Sequence, residues 1–370
     1  MSATDQGPPG AAARAVLTVD LRKVAGNYRM LAGKCGNARV GAVVKADAYG
    51  LGLAAIAPAL HAAGCRDFFV ADVEEGMALR ALVADSQIFV LNGTPREAAG
   101  EFAHHSLIPV LNDLDQVAIW AELARKTEAP PAALHVDSGM TRLGLSMEDL
   151  DILAREPARL AGIQLACVMS HLACSDQPDN PMNARQLAAF KAARAKLPAA
   201  PASLANSGGV FLGPDYHFDL VRSGGALYGL SPFQTEPSPL AQTLRLEAPI
   251  LQLRDVDSPM TVGYGASFRV AGRGRIATIP IGYADGYPRS LSNRGSAFLG
   301  GFRIPIVGRV SMDLTTLDVS GVPAPYAQLG ALVELIGADH KVDDLADEAG
   351  TIGHAVLTGF GRRILRRYEK

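Results

Sequence analysis

At 370 residues, with 48% hydrophobic and 19% charged residues, the chain has the composition of an ordinary soluble protein, long enough for two domains or for one large α/β barrel with an addition. A formal net charge of −2 gives no sign of nucleic acid or an anionic membrane as partner. The first 15 residues hold Pro8 and Pro9 but no apolar core segment, and no later stretch is long and apolar enough to span a bilayer, so neither a signal peptide nor a membrane anchor is expected. Cys35, Cys65, Cys167 and Cys174 are scattered, with no Cys-x-x-Cys pair, which argues against a zinc site or a disulfide framework and for a reducing cytoplasm.

After the Ala/Pro/Gly-rich tail, residues 15–20 read as a strand and 21–31 as a helix. Strand-like runs follow at 40–44, 67–71, 87–91, 108–111, 132–136, 163–170, 202–205 and 218–221. Helix patterns lie between most of them, at 53–63, 73–82, 96–104, 114–126, 147–156 and 182–197, whereas 208–216 offers little helix. Such alternation predicts a parallel sheet, and a count of eight favours a closed (β/α)8 barrel over the competing open, doubly wound sheet.

The run 40–44 organises the rest. It is apolar on both faces and ends at Lys45, with Tyr49, Gly50 and Gly52 close behind. A lysine at a buried strand end is poorly solvated, which disfavours its ammonium form. A free amine on a rigid element suits Schiff-base chemistry with an aldehyde cofactor, and the glycines let backbone approach a ligand. Arg142, His171, Asn206, Ser207 and Arg222 fall at or just past other strand ends, on the face where barrels build active sites. Singly, His171 reads equally well as a core histidine, and Arg142 or Arg222 as an ion-pair partner. Their convergence on one rim favours a site.

Near residue 244 the alternation gives way to strands and turns at 246–256, 261–268, 275–281, 302–310 and 331–336; only 342–349 and the last segment look helical. We expect a barrel domain over residues 1–244 and a mainly antiparallel β domain over 245–370. The Glu-Pro-Ser-Pro run at 236–239 marks the linker, and the strand at 15–20 is a candidate to join the β domain. The β domain carries tyrosine–glycine stretches around Tyr264 and Tyr283, followed by Arg309-Val-Ser-Met312-Asp313.

Taken in order, these motifs resemble those of the pyridoxal-phosphate-dependent alanine racemases. They are Val44-Lys45-Ala-Asp-Ala-Tyr49-Gly50, His135-Val-Asp-Ser-Gly-Met-Thr-Arg142-Leu-Gly, Met169-Ser-His171, Ala205-Asn206-Ser207, Arg222 through Tyr228-Gly, Gly263-Tyr264-Gly265 and Ser311-Met312-Asp313. The resemblance covers nearly the whole chain after the tail. It implies an N-terminal barrel, a C-terminal β domain, and a homodimer acting on alanine with active sites shared between subunits. Lys45 would bind pyridoxal phosphate and serve as one catalytic base, with Tyr264 from the other subunit as the second. Tyr49, Asn206, Ser207 and the amides of Gly224 and Gly225 would hold the cofactor, chiefly its phosphate. Arg222 would face the pyridine nitrogen, with His171 linking it to Tyr264. Arg142, helped by the backbone amide of Met312, would hold the substrate carboxylate or the cofactor oxygen, and Tyr283 and Asp313 would line the entrance.

That set is chemically coherent, since racemisation needs a proton taken from one face of Cα and returned on the other. Tyrosine, at its ordinary pKa of about 10, needs a cation behind it to act as a base. An arginine at the pyridine nitrogen keeps its proton, which favours reprotonation over transamination. Two departures stand out. Many members carry a lysine where this chain has His135, and some carry a tyrosine near the C-terminus where residues 358–363 offer none; a wider pocket there would admit serine. A decarboxylase of basic amino acids, which pairs the pyridine nitrogen with an acid, is disfavoured by Arg222. A non-catalytic pyridoxal-phosphate carrier, built on the barrel alone, is disfavoured by the β domain and Tyr264.

Overall fold

The computed structural model describes residues 14–233 and 238–370. Most of the tail and the first two residues of the expected linker, Glu236 and Pro237, lie outside the described residues. Among the described residues, 22–241 make one compact unit; residues 14–21 make a second together with 242–370. Strand β1 (Val16–Asp20) belongs to the second unit, and helix α1 (Leu21–Cys35) leads into the first.

Among the described residues, the first unit is built on one eight-stranded parallel sheet. Its strands are β2 (Arg39–Val43), β3 (Asp67–Val70), β4 (Gln87–Val90), β5 (Ile108–Leu111), β6 (Ala132–His135), β7 (Leu165–Met169), β8 (Ala202–Ser203) and β9 (Leu220–Ser223). Each strand pairs with the next in sequence, except that β9 returns to β2, with Gly41 opposite Arg222. The remaining gap, between β8 and β9, is bridged by hydrogen bonds from Asp219 N to Ala202 O (3.0 Å) and Arg222 N to Ala205 O (2.9 Å), so the sheet closes into a barrel. β3, β5, β6 and β9 are buried along their whole length, the buried polar residues Asp67, His135, Arg222 and Ser223 included.

Helices α2 (Leu53–Ala62), α3 (Val73–Arg80), α4 (Ala99–His104), α5 (Leu114–Lys126), α6 (Met147–Arg155) and α7 (Pro181–Arg194) separate the strands. Their starts are written locally: the carboxylates of Asp72 and Asp113 accept the amides of Glu75 and Gln116, Ser146 and Asp149 form a reciprocal capping box, and Asn180 accepts from Met182 N. After β8 there are only the short 3-10 turns Gly208–Leu212 and Pro214–Tyr216.

The second unit differs from expectation in detail. The run 246–256 is two strands, β10 (Leu244–Pro249) and β11 (Gln252–Val256), in different sheets. Pro249 has no amide to extend the ladder, and the chain changes partners just after it: Ile250 N bonds Ala331 O, Leu251 N bonds Thr278 O. The run 261–268 is a small hairpin, β12 (Thr261–Val262) and β13 (Phe268–Arg269), around a turn in which Gly263, Gly265 and Ala266 take positive φ. Further strands are β14 (Gly274–Ile279), β15 (Ser296–Leu299), β16 (Phe302–Pro305), β17 (Thr315–Asp318) and β18 (Leu332–Ile336), of which β15 and β17 were not anticipated. Helices α8 (Val342–Ala349) and α9 (Gly353–Gly359) follow. The last segment then ends as strand β19 (Leu365–Glu369), not as helix.

A six-stranded, largely antiparallel sheet runs β16-β15-β18-β10-β1-β19, where β1 lies antiparallel to β10 and parallel to β19. β11, β14 and β17 form a second sheet. Val256, Val262, Val270, Ile276 and Val307 pack as an apolar cluster under the hairpin. No helix among the described residues is long and apolar enough to cross a membrane.

Candidate active site

Lys45 stands where β2 ends, and the backbone after it is unusual. Ala46, Asp47, Ala48 and Tyr49 all have φ between 53° and 58°, and Gly50 follows at 77°, so the chain makes a left-handed turn before α2. Each non-glycine residue in that region costs about 1–2 kcal/mol. Several hydrogen bonds offset the cost jointly: Ala48 N to Val44 O (2.9 Å), Gly50 N to Ala46 O (2.7 Å), Gly52 N to Asp47 O (2.9 Å) and Leu53 N to the Asp47 carboxylate (2.7 Å). Gly50 and Gly52 thus serve the turn itself. Backbone strain concentrated at one reactive side chain is characteristic of functional sites. Burial, then the charge of Arg142, holds the Lys45 pKa below the ordinary lysine value, with Glu75 pulling the other way.

Register places His135, Met169 and Ser203 at one level of adjacent strands. Arg222, on β9, is buried: Nη1 donates to Ser203 Oγ (2.5 Å), Nη2 to Ser170 O (2.5 Å) and to His171 Nδ1 (3.3 Å). Burial lowers its pKa to about 10, which leaves it a cation at neutral pH. Ser203 Oγ in turn donates to Leu220 O (2.6 Å). His171 is held neutral by burial and by the charges of Arg222 and Arg142. With Nδ1 accepting from arginine, its proton sits on Nε2. Gln186 of α7 fixes this loop, donating to His171 O (2.8 Å) and accepting from Ala173 N (2.8 Å).

His135 is also buried, and its pKa is pushed down to about 4 by burial, Arg222 and Arg142. Its Nδ1 lies 2.7 Å from Asn112 Oδ1, while Asn112 Nδ2 donates to Leu91 O (3.1 Å) and Val110 O (2.8 Å). Two carbonyls on the amide nitrogen fix the Asn112 orientation, so Oδ1 is the acceptor, His135 carries its proton on Nδ1, and Nε2 presents a lone pair. His135 therefore contributes a neutral acceptor. Arg142 stands exposed on the loop after β6. Asp137 shapes that loop by accepting the amides of Gly139 (2.8 Å), Met140 (2.9 Å) and Thr141 (3.1 Å).

Hydroxyls and amides gather at a third corner. Ser207 Oγ accepts from the amides of Gly224 (3.0 Å) and Ala226 (3.3 Å) and lies 3.4 Å from Ser223 Oγ. Gly224 lacks a Cβ where one would sit 2.3 Å from the Tyr49 hydroxyl, so Tyr49 reaches the same corner. The Tyr49 ring packs on Tyr228 (centroids 4.8 Å apart), whose hydroxyl donates to Val43 O (2.9 Å) at the end of β2. Asn206 shapes its own turn, accepting from Gly209 N (3.0 Å). Ala226, Asn112, Gln186 and Ser203 were not singled out from sequence: a backbone amide leaves no mark there, and a buried amide or hydroxyl is identified only by its partners.

In the second unit, Tyr264 sits on the hairpin turn and is 70% exposed. Tyr283 and Met312 are exposed as well, and their loops are tied by Tyr283 N to Ser311 O (3.0 Å) and Ala284 N to Met312 O (2.9 Å). Arg363, from the stretch that lacks a tyrosine, bonds Asp313 (2.7 Å) and Asp285 (2.9 Å).

The comparisons with known proteins agree along the chain. The family model of the alanine racemase N-terminal domain matches residues 19–232, and that of the C-terminal domain matches residues 243–368. An alanine racemase of Rhodospirillum rubrum is 50% identical over 359 residues, 96% of either chain. A catabolic alanine racemase of Agrobacterium fabrum is 48% identical over 354 residues, 95% of this chain and 91% of that one. Among solved structures, alanine racemase from Bartonella henselae with covalently bound pyridoxal phosphate superposes with a TM-score of 0.93 at 42% identity, covering 96% of this chain and all of that one. The biosynthetic alanine racemase from Pseudomonas aeruginosa gives 0.90 at 34% identity, covering 97% and 100%. With both domain models matched in order and half the residues shared with one relative, the chain belongs to the alanine racemase family.

Proposed function

We propose that this protein interconverts L-alanine and D-alanine with pyridoxal phosphate bound through Lys45. The observation that carries the reading is Lys45 itself, a lysine on a strained turn at a barrel strand end, its ammonium form disfavoured by burial. The donor set fits the cofactor: an amine for the aldehyde, the Ser207 and Tyr49 hydroxyls with the Gly224 region amides for the phosphate, and Arg222 for the pyridine nitrogen. When bound, pyridoxal phosphate acidifies the Cα–H of an amino acid by delocalising the electron pair that the departing proton leaves.

The protein's own residues govern the proton. Lys45, readily neutral, takes it from or returns it to one face of Cα. Tyr264 of the partner subunit serves the other face, a role supported by its exposure on a glycine-flanked turn. Arg222 keeps its proton and donates to His171 Nδ1, which orients the His171 Nε2–H as a donor toward that tyrosine. Arg142, helped by the backbone amide of Met312, holds the substrate carboxylate, and Tyr283 with Asp313 forms the entrance. Where many family members carry a lysine, often carbamylated, His135 offers a neutral lone pair toward the Arg142 guanidinium.

Enantiomers have equal free energy in water, so the direction of flux depends on which one is consumed. A cytoplasmic supply of D-alanine for peptidoglycan and removal of alanine by catabolism both fit this chemistry. Racemisation of each pure enantiomer, followed by circular dichroism or a chiral separation, tests the activity. Borohydride reduction of the holoenzyme is expected to fix the cofactor on a peptide containing Lys45. Reduction onto a different lysine would overturn the reading.

A further inference from the structure

In the left-handed turn after Lys45 the amide of Ala46 is bonded from outside the turn, by Glu75. Its carboxylate Oε1 accepts from Ala46 N (2.5 Å), and Oε2 accepts from Ala71 N (2.8 Å), just past the end of β3. β2 and β3 are in register at Val43 and Phe69, and Val44 N still bonds Phe69 O (2.9 Å). Beyond that point the strands hand over to the carboxylate, which spans the two chain ends as a ladder hydrogen bond would. Glu75 is itself anchored, since it lies in the first turn of α3 and its amide is capped by Asp72 (3.1 Å). Both bonds to the carboxylate are charge-assisted, and so stronger than their neutral equivalents.

Resting on the proposed role of Lys45, we propose that Glu75 is a positioning residue of this site. Its carboxylate ties the strained turn to the end of β3 and so sets the direction in which Lys45 leaves β2. A second consequence is electrostatic: Glu75 is the anion that opposes burial and Arg142 in setting the Lys45 proton affinity.

Glu75→Gln separates this from a merely structural role. The amide keeps the shape, but its NH2 must face one of the two backbone N–H groups, so one bond is lost and the charge with it. Two quantities are read on the full-length protein. The first is the rate at which holoenzyme loses pyridoxal phosphate after dilution into a scavenger, expected to rise roughly tenfold or more. The second is the pH profile of competitive acylation at Lys45 in cofactor-freed protein, read by mass spectrometry, whose midpoint is expected to move to lower pH. Glu74→Gln, on the exposed neighbour, is expected to leave both unchanged. Adding Ala46→Gly, which removes the Cβ from a left-handed residue, is expected to slow cofactor loss again without restoring the labelling midpoint. Should Glu75→Gln alone fold poorly, the double variant carries the labelling test. If cofactor loss and midpoint match wild type while only thermal stability falls, Glu75 is ordinary scaffolding and the inference is wrong. That outcome differs from failure of the parent reading, in which wild-type Lys45 would not be the residue fixed by borohydride.

Discussion

His135 shows how much a single buried side chain commits the protein. Its folded pKa of about 4 lies below the ordinary histidine value, so between pH 6.5 and about 4 the unfolded chain binds a proton that the native state refuses. Stability therefore rises with pH through that window and is lost progressively as the pH falls. The full loss is on the order of 3 kcal/mol. His135→Gln, which does not titrate, is expected to flatten that part of the pH–stability curve measured by urea unfolding, while remaining near wild type or slightly less stable at pH 7. An unchanged slope between pH 4 and 6.5 would mean that His135 protonates in the folded protein as freely as in the unfolded chain, and that burial and the two arginines do not hold it neutral. The same reasoning assigns the opposite tautomers of His135 and His171, because each ring has one nitrogen committed by a partner of fixed polarity.

At the scale of elements, the site is made by short irregular segments held on a rigid barrel. The turn after β9 is a clear case: Gly224 lets the Tyr49 hydroxyl come within contact distance of its Cα, and Tyr49 has little room to retreat because it packs on Tyr228. Gly224→Ala would place a methyl 2.3 Å from that hydroxyl and 3.4 Å from Val43 Cβ. Overpacking of this kind costs about 1–3 kcal/mol, so affinity for pyridoxal phosphate is expected to fall roughly ten- to a hundredfold. Absorbance titration of the cofactor-freed variant measures it. Affinity equal to wild type would show that the Tyr49–Gly224 contact has no part in holding the cofactor.

For the whole molecule, the essential question is whether one chain completes its own site. Lys45 belongs to the barrel unit and Tyr264 to the β unit. A symmetric homodimer can offer the β unit of each subunit to the barrel of the other. Lys45→Ala and Tyr264→Phe proteins are each expected to be nearly inactive. When the two are dissociated, mixed and reassembled, about half of the dimers are mixed and each holds one intact site, so roughly a quarter of wild-type activity should return. Zero recovery with mixed dimers confirmed would falsify sharing, since a tyrosine serving its own subunit leaves every site with one lesion.

The sequence by itself determined the barrel, because eight apolar runs separated by capped helices leave few other ways to bury that much strand. It also marked Lys45, His171, Ser207 and Arg222 as residues of strand ends or the turns beyond them, since position along a strand fixes which rim a residue joins. It misread the run 246–256 as one strand, because the exchange of partners at Ile250 and Leu251 depends on Ala331 and Thr278, far along the chain. The parallel pairing of β19 with β1 joins the two ends of the chain and has no local signature. Only the tertiary structure showed that the turn after Lys45 is left-handed, that Glu75 ties it to β3, and that Asn112 dictates the His135 tautomer. Periodicity records which side of an element is buried, whereas hydrogen-bond direction and backbone handedness depend on partners that only the folded chain brings within 3 Å.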